Sequence, residues 1–156
     1  QHLLGLQALA QLTSAKLEGD QLLSQEIWFY PSSLDATKDF VEIKIDTAAS
    51  ITLILQILLL PSLFFKHPTK ILIRGGATDT FFSPTIDHFR FVFLKILKKM
   101  GPEPEINIIR RGFYPEGGAE IEVKFYPSEL KPLTLLEMGE LKQIKIISGA
   151  SEHLQK

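Results

Sequence analysis

Two strand endings of matching character, Trp28-Phe29-Tyr30-Pro31 and Lys124-Phe125-Tyr126-Pro127, constrain the fold more than any other feature of the chain. Each closes the same succession: an apolar helical stripe, a short strand, a turn and a second strand. Recurrence of a whole supersecondary unit marks a repeat architecture. Between the two endings lies one full unit in the order strand, helix, strand, helix, strand, strand. Its first strand, Phe40-Val41-Glu42-Ile43-Lys44-Ile45, alternates with period two, so one face stays wet. Asp46-Thr47 stands where it can cap a long apolar helix from Ala48 to about Leu60. Lys70-Ile71-Leu72-Ile73 reads as a β-rich strand running into Gly75-Gly76. Ser83 followed by Pro84 reads as a helix start, a capping hydroxyl with proline at the first helical position. Ile86, Phe89, Phe93, Ile96, Leu97 and Met100 continue an apolar stripe that Gly101-Pro102 ends. Glu105 to Arg110 and Glu120 to Phe125 supply the last two strands.

The fold class expected is therefore α/β (α+β), built from repeated βαβαββ units, each a four-stranded sheet with two helices packed on one face. The β-α-β portion is expected to cross over right-handed. Residues 1–31 read as the C-terminal half of a first unit, with a helical stripe at Leu3, Leu6, Leu9, Ala10 and Leu12 and strands at Ala15 to Glu18 and Gln25 to Tyr30. Residues 38–127 read as a complete second unit, and 140–156 as the start of a third, with a strand over Lys142 to Ile147. Both ends look cut, so a piece of a longer protein is expected.

Composition narrows the function classes. The 156 residues carry 17 basic and 18 acidic side chains, a formal net charge of −1. Such balance excludes a general polyanion binder and confines any nucleic-acid contact to a local patch. With no cysteine, disulfides, thiolate catalysis and cysteine-based zinc sites are excluded, which fits a cytoplasmic home. The apolar stretch Ile51 to Phe65 carries Gln56 and Pro61 and falls short of the ~20 residues a membrane span needs. It reads as a helix buried between protein layers, and no membrane partner is expected.

The chemistry-bearing stretch is Arg110-Arg111-Gly112-Phe113-Tyr114-Pro115-Glu116-Gly117-Gly118. Its glycines permit backbone angles closed to other residues, so chain or ligand can approach closely there. Guanidiniums beside such a turn suit a phosphate, because arginine presents a planar fork of donors. A decorated β-hairpin with solvated arginines is the plain alternative. Upstream stand Arg74-Gly75-Gly76-Ala77-Thr78-Asp79 and Ser83-Pro84-Thr85-Ile86-Asp87.

Taken with Gln1-His2-Leu3, Glu18-Gly19, Thr52-Leu53-Ile54-Leu55-Gln56 and Lys99-Met100-Gly101, these pieces make the chain resemble the RNA 3'-terminal phosphate cyclases, in the family's order and near its spacing. The resemblance implies an enzyme that uses ATP and a divalent cation, Mg or Mn, to turn an RNA 3'-phosphate end into a 2',3'-cyclic phosphate. AMP would pass from a histidine to the RNA phosphate, and the adjacent 2'-hydroxyl would expel it. The nucleophilic histidine and the metal-facing glutamate of that family match nothing in this chain. No catalytic or metal-binding residue is therefore assigned to it, and the remaining part of the same protein is an expected partner.

Carried over residue by residue, Gln56 matches a glutamine that touches the nucleotide, and Pro84 a proline that lies against adenine. His88 stands where the family favours Tyr or Phe near the base, and Asp87 belongs to the same motif. Arg110 and Arg111 are candidates for the RNA phosphate. Each has a plain alternative: a core glutamine with its amide satisfied, a first-turn proline, a half-exposed histidine, an early-turn carboxylate favoured by the helix dipole. Ala77 looks like an insertion, while Thr85 and Ala119 replace a proline and a glycine. These departures motivate a second reading, a non-catalytic cyclase-like factor binding or scaffolding RNA in ribosomal RNA processing. An enolpyruvyl-type transferase shares related repeats, but none of its substrate motifs is present.

Overall fold

In the computed structural model of the chain, residues 2–33 and 38–150 are described. Helix α1 (His2–Thr13) leads to an antiparallel pair, β1 (Lys16–Glu18) and β2 (Trp28–Tyr30). A four-stranded mixed sheet follows, made of β3 (Phe40–Ser50), β4 (Thr69–Ala77), β5 (Glu105–Arg110) and β6 (Glu120–Phe125) in the order β3-β4-β6-β5. Helix α2 (Ile51–Ser62) joins the parallel strands β3 and β4. A helical run joins β4 to β5: α3 (Ile86–His88), a π-helical stretch (Phe89–Phe93) and α4 (Leu94–Lys99). The α+β class and the strand-helix-strand-helix-strand-strand order agree with the sequence reading.

Period-two burial sorts the sheet into two faces. Val41, Ile43, Ile45, Ile71, Ile73, Ile121, Val123 and Phe125 point inward and share one core with Leu12, the α2 residues Ile51, Ile54, Leu55 and Leu58, and Ile86 and Phe89. The other face is a charged ladder. Lys70 meets Glu122 at 3.0 Å, and Arg74 lies between Glu42 at 3.2 Å and Glu120 at 3.3 Å. At its far edge the Lys124 ammonium is held above its usual value by its contact with Tyr126. Helix α1 packs on α2 through small residues: Gly5 is buried, and a Cβ there would run into Ile57.

Several boundaries differ from the sequence reading. Strand β3 runs on through Asp46 and Thr47 to Ser50, re-pairing Ser50 with Ala77 beyond a bulge. Ser50, not Asp46-Thr47, is the cap of α2, with extended backbone and its Oγ accepting from Leu53 N at 3.4 Å. Likewise Thr85, not Ser83, caps α3: its hydroxyl accepts the His88 N–H at 3.2 Å, while Ser83 Oγ donates to the Thr80 carbonyl. Pro84 thus sits one residue before the cap. The apolar stripe after Phe89 is only partly sheltered, because the wider π turn rotates it, leaving Ile96 43% exposed. The strand expected over Lys142 to Ile147 is not formed, since no described residue offers it a ladder partner. Residues 151–156, including His153, lie outside the described residues.

Candidate functional site

The C-terminal ends of β3 and β4, the two parallel strands, are where an open α/β sheet places its ligands. Helix α2 starts from one end and the Thr78-Asp79 loop from the other. The two meet through one side chain. Thr52, fully buried in the first turn of α2, donates its hydroxyl to the Pro84 carbonyl at 2.7 Å and lies 2.9 Å from Ser50 Oγ. The Ile86 N–H, next in the same turn, is held by the Thr78 carbonyl at 2.9 Å. Residues four apart share a helix face, so Gln56 stands one turn above Thr52 on the face turned to Pro84. Gln56 and Pro84 are both half-buried, and the Gln56 amide makes no hydrogen bond among the described residues. His88 is exposed, its backbone engaged at the α3 cap.

The charged candidates pair with one another. One Arg111 nitrogen donates to both Asp87 oxygens, at 2.9 and 2.7 Å, and the other lies 3.5 Å from Asp79. Asp79 in turn accepts the Thr78 hydroxyl at 2.6 Å, and Thr78 Oγ1 is 2.9 Å from the Gly112 carbonyl. Arg111 is thus a brace between the β5–β6 turn and the start of α3, its charge matched by two carboxylates. Arg110 is exposed and ties its own turn together, Nε to the Gly118 carbonyl at 2.8 Å. Thr52, Thr78 and Asp79 carry more of this geometry than the sequence reading assigned them. The signal for Thr52 was present, as a hydroxyl in the first turn of a mostly apolar helix.

The glycines of the signature are filled by chain. A Cβ on Gly75 would strike the Ile45 carbonyl, and one on Gly112 would meet Gly76 O at 2.5 Å, Ala119 N at 2.6 Å and Gly117 O at 2.6 Å. Gly117, at φ 75°, sits against Gly76 O and Thr47 O. Backbone therefore crosses backbone where β3, β4 and the β5–β6 turn converge, and this crossing sets the heights of the Pro84 and Asp79 loops. Beside them opens a cleft of about 420 Å³, lined by Asp79, Thr80, Phe81, Thr85, Phe113 and Tyr114 and walled by Gly149 and Ala150. Among the described residues no group of three or more His, Asp or Glu side chains could hold a metal ion. No helix among them is long and apolar enough to cross a membrane.

A profile of the family described as RNA 3'-terminal phosphate cyclase matches residues 1–155. The chain belongs to that family. It is 40% identical over 151 residues to the RNA 3'-terminal phosphate cyclase of Saccharolobus solfataricus, covering 97% of this chain and 44% of that protein. The cyclase of Sulfurisphaera tokodaii is 42% identical over 97% of this chain and 43% of its own length, and that of Archaeoglobus fulgidus 37% identical over 90% and 42%. The chain spans less than half the length of these cyclase relatives.

Proposed function

We propose that the full-length protein is an ATP-dependent RNA 3'-terminal phosphate cyclase of the ligase class, acting in the cytoplasm, to which this chain contributes a nucleotide-facing wall. The observation that carries the reading is the Thr52–Pro84 hydrogen bond, which fixes the Gln56 face of α2 against the Pro84 turn. A half-buried amide with unused donors and an acceptor fits the edge of an adenine, and a half-buried proline fits its face. His88 stands within the same helical turn, able to flank the base. ATP would supply an activated phosphoanhydride, with Mg or Mn screening its charge from elsewhere in the protein. The net change is balanced: ATP loses pyrophosphate as AMP joins a histidine, AMP moves to the RNA 3'-phosphate, and the 2'-hydroxyl closes the ring and releases AMP. Within this chain Gln56 and Pro84 bind and orient, while Asp87 and Arg111 hold the turn that carries Pro84. Arg110, bound on one side only, is the arginine left to meet an RNA phosphate.

Incubation of the full-length protein with labelled ATP and Mg should give an acid-labile AMP adduct on histidine, and 3'-phosphorylated RNA should become phosphatase-resistant. Gln56→Ala should raise the KM for ATP about 2- to 10-fold, the value of a hydrogen bond of ~0.5–1.5 kcal/mol. No adduct and no cyclised end in the intact protein would reject the proposal. That outcome would favour the scaffold reading, whose own support is that Arg111, Asp79 and Asp87 already satisfy one another. The isolated chain, without a nucleophile of its own, should form no adduct.

A further inference from the structure

A basic surface lies away from the Pro84 turn, at the far end of the same helical run. Lys95, Lys98 and Lys99 are exposed on α4, and Arg90 stands one turn before it. The backbone N–H of Lys131 bonds the Met100 carbonyl at 2.8 Å, bringing a further cation to the helix end. Phe91, 40% exposed, has the Arg90 guanidinium 5.0 Å and the Lys145 ammonium 5.4 Å from its ring centre. Of the nearby acids, Glu103 is bound to Lys98, Asp87 lies 4.0 Å from Arg90 and is committed to Arg111, and the Glu129 backbone packs against Gly101 at the helix end. Between α4 and β5, Arg90, Phe91, Lys95, Lys98 and Glu103 line a groove of about 230 Å³, with Leu94, Pro104 and Ile106 as its floor; Lys99 follows Lys95 one helical turn further on, beyond the groove lining.

A helix dipole accounts for Lys98 and Lys99 in the last turn. It does not account for Lys95, Arg90 and Lys145 gathering about an exposed ring on a chain of net charge −1. An exposed aromatic set among cations in an open groove is how single-stranded nucleic acid is held: a base stacks, and phosphates pair alongside. The helical run from Ile86 to Lys99 covers about 20 Å at 1.5 Å per residue. An RNA with its 3' end at the Pro84 turn can therefore lay its next nucleotides along this helix.

We propose that the α4–β5 groove binds the single-stranded body of the RNA substrate, with Phe91 stacking a base and Arg90, Lys95 and Lys99 pairing phosphates. The assignment of RNA as occupant rests on the cyclase reading above; the groove and its charge do not. The test is the binding of a 3'-phosphorylated single-stranded RNA to the full-length protein, followed by fluorescence anisotropy across a salt series. Each phosphate contact adds ~0.7 to the slope of log affinity against log salt. The double substitution Lys95→Gln and Lys99→Gln should therefore flatten that slope by about 1.4. Phe91→Ala should weaken binding about 5- to 100-fold, the value of a stacked base, at unchanged slope. Self-labelling with ATP should be untouched by any of these changes. An unchanged slope in the double variant overturns the proposal, as does a variant that loses only its affinity for phosphatidylserine vesicles, which would make the face a membrane contact. Flattening in a protein that does not self-label would uphold the groove and reject the cyclase chemistry.

Discussion

Replacing Thr52 by valine tests whether a single hydroxyl holds together the wall proposed to face the nucleotide. Valine keeps the shape and β-branching of threonine, so the fully buried position stays filled and no cavity term enters. Two hydrogen bonds are lost, to the Pro84 carbonyl at 2.7 Å and to Ser50 Oγ at 2.9 Å. At ~0.5–1.5 kcal/mol net for each, stability should fall by about 1–3 kcal/mol. Thr52→Ser keeps both bonds and gives up one methyl, at about 1 kcal/mol. The expected order of stability in urea unfolding of the full-length protein is wild type, then T52S, then T52V. Loss of the tie also frees the Pro84 turn from α2, so T52V should raise the KM for ATP by more than T52S does. Valine tolerated as well as serine in both measurements would refute the claim that this bond positions the turn.

The backbone crossing makes Gly112→Ala an overpacking change against three main-chain atoms, expected to cost about 1–3 kcal/mol in denaturant unfolding. Gly118→Ala, where an added Cβ meets nothing within 4 Å, should cost about 1 kcal/mol through its φ of 78° alone. Arg111→Ala strips Asp79 of its cation and leaves Asp87 with only the Arg90 guanidinium at 4.0 Å; because these groups are only partly buried, a loss of about 1–2 kcal/mol is expected, and Asp87→Asn with Arg111→Ala should cost less than the two changes summed. The Lys16 ammonium, 2.6 Å away, holds the Glu18 carboxyl below its usual value. A lowered folded-state pKa means the pair contributes above the ordinary carboxylate range and loses that contribution as pH falls through the folded value. An NMR titration of Glu18 should show the low midpoint, and Lys16→Gln should return it to the usual range.

The strands of the sheet were legible because their alternation matches the period of a surface with one wet face: Glu105–Arg110 and Glu120–Phe125 fall where the pattern puts them. Caps were less legible. Asp46-Thr47 has good capping chemistry, yet the pairing of Ser50 with Ala77 keeps β3 extended, so the later serine takes the role. Ser83 lost to Thr85 because the Ile86 N–H is held by Thr78, a contact 8 residues away that no local pattern encodes. Gln56 and Pro84 were named from the motif, and their link through Thr52 lies in the crossing of two loops. Arg111 read as a phosphate ligand because its two acids stand 24 and 32 positions off in sequence. Composition gave its sign, and only the folded chain gives its partners.

The meeting of Gly75, Gly76, Gly112 and Gly117 leaves no room for side chains at the point where three segments touch. That joint forms a hub with no clearance to spare: a side chain at Gly75, Gly112 or Gly117 would strike a main-chain oxygen. Tyr114, Glu116 and the Phe81-Phe82 tip hang from it and are turned to solvent, so substitutions there leave the joint intact. Under the cyclase proposal, a changed RNA-end preference is the expected result of substitutions at those spokes, with the Gln56 and Pro84 wall behind them left undisturbed.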